Sequence, residues 1–216
     1  MSNKPIIAIL GGTGHEGTGL ALRWASNGYD VIIGSRQEDK ALKATGEINE
    51  ILGKELVRGM ENGAAAREAD INVLTVVATA HEAALTGLKD DLQGKILVDA
   101  TARIKFPNPK PPAPPSAARL AQDLLGEGVR VVAAFQNIPA SALKNLEKDL
   151  DSDVLVCADN REDADQVSEL IREAGMNAFY VGDLDLAITL EGITAVLVYL
   201  NKFNNVKHAS IKIVGS

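Results

Sequence analysis

Residues 6–36 limit what this chain can fold into more than any other stretch. Ile6-Ile7-Ala8-Ile9-Leu10 is an apolar run of strand length, rich in β-branched side chains, as a strand buried on both faces requires. Gly11-Gly12-Thr13-Gly14-His15-Glu16-Gly17 follows it directly. From His15 to Asn27 the chain reads as a helix with Leu20, Ala21 and Trp24 on one face, and Gly28 is a good residue to end it. Asp30-Val31-Ile32-Ile33-Gly34-Ser35-Arg36 then reads as a second strand. Strand, turn, helix and strand in that order make a βαβ unit, whose strands are parallel and whose crossover is right-handed.

Gly12, Gly14 and Gly17 place G-x-G-x-x-G between that strand and that helix, the context in which the motif binds dinucleotides. Gly12 permits the tight turn, Gly14 lets the backbone approach a pyrophosphate, and Gly17 lets helix and strand pack closely. The helix start adds free N–H groups and the positive end of its dipole. A chain that selects NAD carries a carboxylate after the second strand to hold the ribose hydroxyls. Here Ser35 and Arg36 stand there, with Lys40 one helical turn on. A hydroxyl, a guanidinium and an ammonium suit a 2′-phosphate, so the expected dinucleotide is NADP(H).

Beyond the first unit the pattern alternates. Helices are expected over Glu38–Leu52, Ala64–Ala69, Ala78–Leu88, Ser116–Leu125, Arg161–Ala174 and Leu186–Asn204. Strands are expected over Leu56–Arg58, Ile71–Val77, Lys95–Asp99, Val129–Phe135, Asp153–Ala158 and Asn177–Val181, and Pro139 is placed to open a helix. The order predicts an α/β fold with a doubly wound parallel sheet over residues 1–182. Residues 183–216 form a small, mainly helical part that would close the cleft. The helix from Leu186 is too apolar to be solvated all round and is expected to be buried between domains or subunits. Residues 106–115 hold six prolines, so they form an extended loop leaving a strand end, where ligands sit in open α/β sheets.

The net charge of −7 over 216 residues argues against nucleic acid as a partner. No run of eighteen apolar residues suggests a membrane span. One cysteine, Cys157, suits a reducing cytoplasm. His15, His81 and His208 share no metal-ligand spacing with one another or with Cys157, so no metal site is expected. Glu191, alone in an apolar helix, needs a partner and reads as a structural anchor. Asp99 ends a strand and caps the next loop or faces the cleft. No pair suited to proton transfer is evident, so no catalytic acid–base residue is assigned. Hydride transfer between two cofactors needs position rather than such a pair, which points to a second redox carrier as the other ligand.

The chain resembles the NADPH-dependent reductases of coenzyme F420, an 8-hydroxy-5-deazaflavin. The likeness runs through the glycine turn, Gly19-Leu20-Ala21-Leu22-Arg23 and Gly34-Ser35-Arg36 with Lys40. It continues in residues 131–140, residues 153–159, Glu191-Gly192-Ile193-Thr194 and the tail through Lys207 and Lys212. It implies a Rossmann-type fold and reversible hydride transfer between C4 of the nicotinamide and C5 of the deazaflavin. Thr13, Gly14, His15 and Glu16 would face the pyrophosphate, and Ser35, Arg36 and Lys40 the 2′-phosphate. Val77 and Ala78 would border the nicotinamide ribose, and Ala140 the nicotinamide end. Gln136, Asn137, Ile138 and Pro139 would flank the deazaflavin, with Lys207 near it. Archaeal members carry histidine at the position of Gln136. A homodimer or higher homo-oligomer through the C-terminal helix is also implied. Arg103, Lys105, Lys110, Lys202, Lys207 and Lys212 would steer an anionic deazaflavin if they cluster. An NADPH-dependent reductase of another small substrate, and a non-catalytic NADP sensor, use the same nucleotide site.

Overall fold

The computed structural model describes residues 4–105, 107–146 and 150–215; Phe106, the first residue of the proline-rich run, lies outside them. The strands are β1 (Ile7–Leu10), β2 (Val31–Ser35), β3 (Val57–Glu61), β4 (Ile71–Leu74), β5 (Ile96–Asp99), β6 (Arg130–Ala133), β7 (Asp153–Ala158) and β8 (Asn177–Gly182). The helices are α1 (His15–Ser26), α2 (Glu38–Leu52), α3 (Asn62–Glu68), α4 (His81–Leu88), α5 (Ala117–Leu125), α6 (Arg161–Glu173) and α7 (Ala187–Asn204).

The eight strands form one sheet in the order β3-β2-β1-β4-β5-β6-β7-β8. The first six reproduce the doubly wound dinucleotide-binding order, whose direction reverses between β1 and β4. The expected fold class is therefore what the chain forms, with one change: β7 runs antiparallel to β6, while β8 is parallel to β7. The sequence carries no sign of that reversal, because β7 is buried on both faces like its parallel neighbours.

Alternate strand residues face opposite layers. Ile7, Ile9, Val31 and Ile33 pack under α1, α2 and α6, with Trp24 at the centre. Ala8, Leu10, Ile32 and Leu97 pack under α3, α4, α5 and α7. Trp24 ties α1 to α6 by donating from Nε1 to the Leu170 carbonyl at 2.9 Å, and Phe135 meets it edge-on at 6.0 Å.

Several boundaries differ from expectation for local reasons. β4 stops at Leu74, and Val77 is 70% exposed beyond it. β6 stops at Ala133 because Phe135 adopts φ 79, a left-handed conformation that ends the ladder. After Pro139 only a single tight turn forms, over Ala140–Ala142. β3 runs on to Glu61 along β2. α7 buries Leu190, Glu191 and Leu197 but leaves Val196, Leu200 and Phe203 uncovered in the single chain.

Candidate functional site

The cleft lies at the carboxyl ends of β1, β2, β4, β5 and β6, across the point where strand order reverses. On one rim, Gly11 turns the chain after β1 with φ +69, and its amide donates to Asn62 Oδ1 at 3.1 Å. The Gly12 amide donates to the Gly34 carbonyl at 3.0 Å, which seats the turn on the end of β2 beside Ser35. A Cβ on Gly12 would lie 2.6 Å from the Ile9 carbonyl, and one on Gly17 would lie 2.5 Å from Gly12 Cα. A Cβ on Gly14 would meet nothing within 4 Å, so that space stands open over the helix start. Gly14 precedes α1 in extended backbone with no side-chain cap, leaving the first amides of the helix to a ligand.

Thr13, Gly14 and His15 are exposed there, while Gly17 is buried. Ser35 is buried, with Oγ accepting from the Gln37 amide at 3.2 Å. Arg36 and Lys40 are exposed and make no ion pair among the described residues. An open cradle, free amides and two unpaired cations, with no carboxylate at the end of β2, fit a dinucleotide that carries a 2′-phosphate. Asn62, which fixes the turn from the start of α3, gave no sign of this role in the sequence.

The opposite rim is built around Asp99, which is wholly buried at the end of β5. Its Oδ2 lies 2.6 Å from His81 Nε2, and its Oδ1 accepts from the Thr101 amide at 2.9 Å. Asp99 therefore both caps the loop and holds a histidine. The sequence reading missed this pair because its members stand on different elements, β5 and α4. The Asp99 carbonyl accepts from Gln136 Nε2 at 2.7 Å, and the Gln136 carbonyl accepts from Thr194 of α7, also at 2.7 Å. Gln136 Oε1 and Thr101 Oγ1 are buried with no protein partner. Burial, and then the charge of Asp99, push the Glu16 carboxyl up to about 8.

Asn137 is buried, with Nδ2 donating to the Asp153 carbonyl at 2.7 Å. Ile138 is buried, and Pro139, Ala140 and Ala78 are half-buried at the surface of the cleft. Lys207 is exposed in the tail. A cavity of about 430 Å³ joins the two segments, with Pro139, Ser141 and Asp151 on one side and His208 on the other. Ser141 Oγ and His208 Nδ1 meet there at 2.7 Å.

Glu191 is the anchor the sequence suggested. One oxygen accepts from the Arg103 amide at 2.7 Å and from Arg103 Nε at 3.2 Å; the other accepts from the Ala117 amide at 2.7 Å. Both ends of the proline-rich loop are thus pinned to α7, and Arg103 also donates to the carbonyls of Ala113 and Pro115. The expected steering charges are accordingly fewer: Arg103 is bound to Glu191, and Lys212 to Asp151 at 2.6 Å. Cys157 is buried, and burial with Asp183 pushes its thiol up to about 12, as an inert core residue requires. Among the described residues no group of side chains is arranged to hold a metal ion.

The chain is similar to known proteins over nearly its whole length. The family profile described as "NADP oxidoreductase coenzyme F420-dependent" matches residues 6–103. The F420-dependent NADP reductase of Methanothermobacter marburgensis is 40% identical over 96% of this chain and 97% of its own length. That of Methanocaldococcus jannaschii is 36% identical over 96% of this chain and 97% of its own. A solved structure from Arthrobacter sp. FB24, described as a candidate F420-dependent NADP reductase, superposes with a TM-score of 0.84. It is 25% identical and covers 98% of this chain and 100% of its own. Matched from end to end at these identities, the chain belongs to the coenzyme F420-dependent NADP oxidoreductase family.

Proposed function

We infer that this chain, an oxidoreductase of that family, moves a hydride between NADP(H) and coenzyme F420 in the cleft above β1, β4, β5 and β6. The single observation that carries the NADP half is the hydrogen bond from Gly12 to Gly34. It brings the open glycine cradle and the free cations Arg36 and Lys40 onto one rim. The first amides of α1 would hold the pyrophosphate, while Ser35, Arg36 and Lys40 would hold the 2′-phosphate. Val77 and Ala78 would border the nicotinamide ribose, with Ala140 at the nicotinamide end. Gln136, Ile138 and Pro139 would flank the deazaflavin. The unpartnered Gln136 Oε1 supports that placement, because it is an acceptor waiting for a donor on a ligand ring. When bound, the nicotinamide supplies the hydride and the deazaflavin takes it up. The protein's part is to fix the two rings at contact distance and keep water out.

The test mixes the protein with NADPH and oxidised coenzyme F420 and follows the deazaflavin's visible absorbance. Bleaching that needs both protein and NADPH is expected. No bleaching with protein that binds NADPH would remove the deazaflavin from this reading. A reductase of another small substrate would then lead.

The family likeness also supports a homodimer joined through α7, in the cytoplasm. Val196, Leu200 and Phe203 would be covered by a second copy, with residues 183–216 closing the cleft. Light scattering should give twice the chain mass, falling to one chain mass on Phe203→Glu. None of the described helices is long and apolar enough to cross a membrane.

A further inference from the structure

The segment after β6 is tied at both ends, and one of its ties is α1. At the first end, Gln136 donates from Nε2 to the Asp99 carbonyl at 2.7 Å, and Asn137 from Nδ2 to the Asp153 carbonyl at 2.7 Å. At the second end, the Leu143 carbonyl accepts from Arg23 Nε at 2.8 Å, and the Asn145 carbonyl from Arg23 Nη2 at 2.8 Å. Arg23 Nη1 donates to the Ala174 carbonyl, just past α6, at 3.1 Å. Arg23 is buried, and its planar fork holds the three carbonyls in one arrangement. Gly19 stands one turn earlier on the same face of α1. A Cβ on Gly19 would lie 2.4 Å from Leu143 Cβ. A helix interior favours alanine over glycine, so the bare position answers to Leu143 rather than to the helix. Between the two ties, the Ala142 amide donates to the Pro139 carbonyl at 2.8 Å and closes the tight turn over Ala140–Ala142.

The same helix starts at the glycine cradle. Its residues from Gly17 to Ala25 are buried, and Trp24 locks it to α6. One stiff element therefore carries the cradle at its start and the turn on its flank. We propose, resting on the function above, that Gly19 and Arg23 are positioning residues for hydride transfer. They set the turn from Pro139 to Ala142 against the cradle, and with it the approach of the two rings. Neither residue touches a cofactor. A methyl on Gly19 must part from Leu143 by about 1 Å, from 2.4 Å to the 3.4 Å at which ordinary contact begins. The ties at Gln136 and Asn137 hold the far end, so the displacement falls on the residues between. The cradle keeps its own bonds, from Gly11 to Asn62 and from Gly12 to Gly34, and stays in place. Dinucleotide binding and hydride transfer should then separate, because a misplacement of about 1 Å costs on the order of 100-fold in rate.

The experiment compares the native chain with Gly19→Ala and with Arg23→Lys, which keeps the charge and loses the fork. Fluorescence titration gives the NADPH dissociation constant. Single-turnover bleaching of coenzyme F420, with protium or deuterium at the transferred position of NADPH, gives the rate and shows that the hydride step is being read. Hydrogen exchange at the Ala142 and Leu143 amides reports the turn with neither cofactor present. Both variants should bind NADPH within about threefold of the native chain and transfer hydride roughly tenfold to a hundredfold more slowly, with the isotope effect retained. The two amides should exchange faster in both. A native rate in either folded variant overturns the proposal. So does a loss of NADPH affinity that matches the loss of rate, which would place the effect at the cradle. A slower rate without an isotope effect overturns it too, because another step is then affected. If neither variant folds, Gly19 and Arg23 belong to the scaffold alone and the proposal is likewise lost. Absence of bleaching by the native chain would instead bring down the function on which the proposal rests.

Discussion

The two rims of the cleft are built on opposite principles. On the rim after β1 and β2 the polar groups are left free: the first amides of α1 are uncapped, and Arg36 and Lys40 have no partner among the described residues. On the rim after β5 and β6 almost every polar group is bound to another. Asp99 holds His81 and Thr101, Gln136 holds Asp99 and Thr194, and Glu191 holds Arg103 and Ala117. Free groups recognise charge, since a phosphate completes bonds the fold has left unmade. Bound groups fix shape, since each ties two elements distant in sequence. A site that brings two flat rings together needs both: one rim to hold the charged end of a dinucleotide and another to hold a slot at constant width.

The largest effect should come from breaking the bound rim. Glu191→Ala removes the acceptor of three hydrogen bonds and leaves the Arg103 guanidinium without its buried counter-charge. Removing one partner of such a pair costs about 3–5 kcal/mol. Chemical denaturation should report that loss, and limited proteolysis should cut faster between Arg103 and Ala117. An unchanged midpoint would mean that the loop is held by other contacts. The free rim should respond differently. Arg36→Asp should leave the denaturation midpoint nearly unmoved and weaken NADPH. Loss of charge-assisted bonds worth about 1.5–3 kcal/mol each corresponds to roughly tenfold or more in affinity, and NADH should gain in relative terms. An unaltered preference between the two would take Arg36 away from the 2′-phosphate.

The same contrast separates two glycines three residues apart. Gly17→Ala would press a methyl to 2.5 Å from Gly12 Cα, backbone against backbone, so helix or turn must shift. Overpacking of that kind costs about 1–3 kcal/mol, and both stability and NADPH binding should fall. Gly14→Ala meets nothing within 4 Å, so the fold should keep its stability while the methyl occupies the phosphate's space. Thermal unfolding beside NADPH titration separates the two. Equal loss of stability in both variants would show that the opening at Gly14 is not a ligand space.

This division also decides what could be read before any coordinates. The free rim is local. Strand, turn, helix and second strand follow one another between Ile7 and Ser35, and the chemistry of Ser35, Arg36 and Lys40 follows from position alone. The bound rim is assembled across the chain. His81 and Asp99 are 18 residues apart, and Arg103 and Glu191 are 88. No periodicity links such partners, and only the order of strands in the sheet brings them together. Glu191 was legible as a carboxylate in need of a partner, but not which partner. The antiparallel turn of β7 was invisible because a strand buried on both faces has the same composition in either direction. Phe135 was read as strand for the same reason: its apolar side chain is buried, and its left-handed backbone leaves no trace in residue type.

One lock on the bound rim should open with acid. Asp153 begins β7, and its carbonyl receives Asn137 Nδ2 from the cleft segment at 2.7 Å. Its carboxylate accepts from the Ile213 amide at 2.6 Å and from Asn177 Nδ2 at 2.9 Å, with Lys212 at 3.5 Å. Burial alone would raise this carboxyl, but the Ile213 amide, Asn177 and Lys212 outweigh burial and hold it below its ordinary value of 3.8. A group depressed on folding contributes stability that is complete above its unfolded value and is lost as pH falls through its folded one. Docking of the tail should therefore hold near neutrality and weaken progressively below about pH 4. Asp153→Asn keeps the shape but cannot ionise, and it removes charge-assisted bonds worth roughly 1–2 kcal/mol at neutral pH. Its melting temperature should start lower and change less between about pH 6 and about pH 3 than that of the native chain. Hydrogen exchange at the amide of Ile213 gives the local reading: fast exchange in Asp153→Asn at every pH, and acid-dependent exchange in the native chain. Parallel acid curves for the two proteins would move the lock elsewhere, to the backbone bond between the Asp153 amide and the Ile211 carbonyl, which no proton in this range can break.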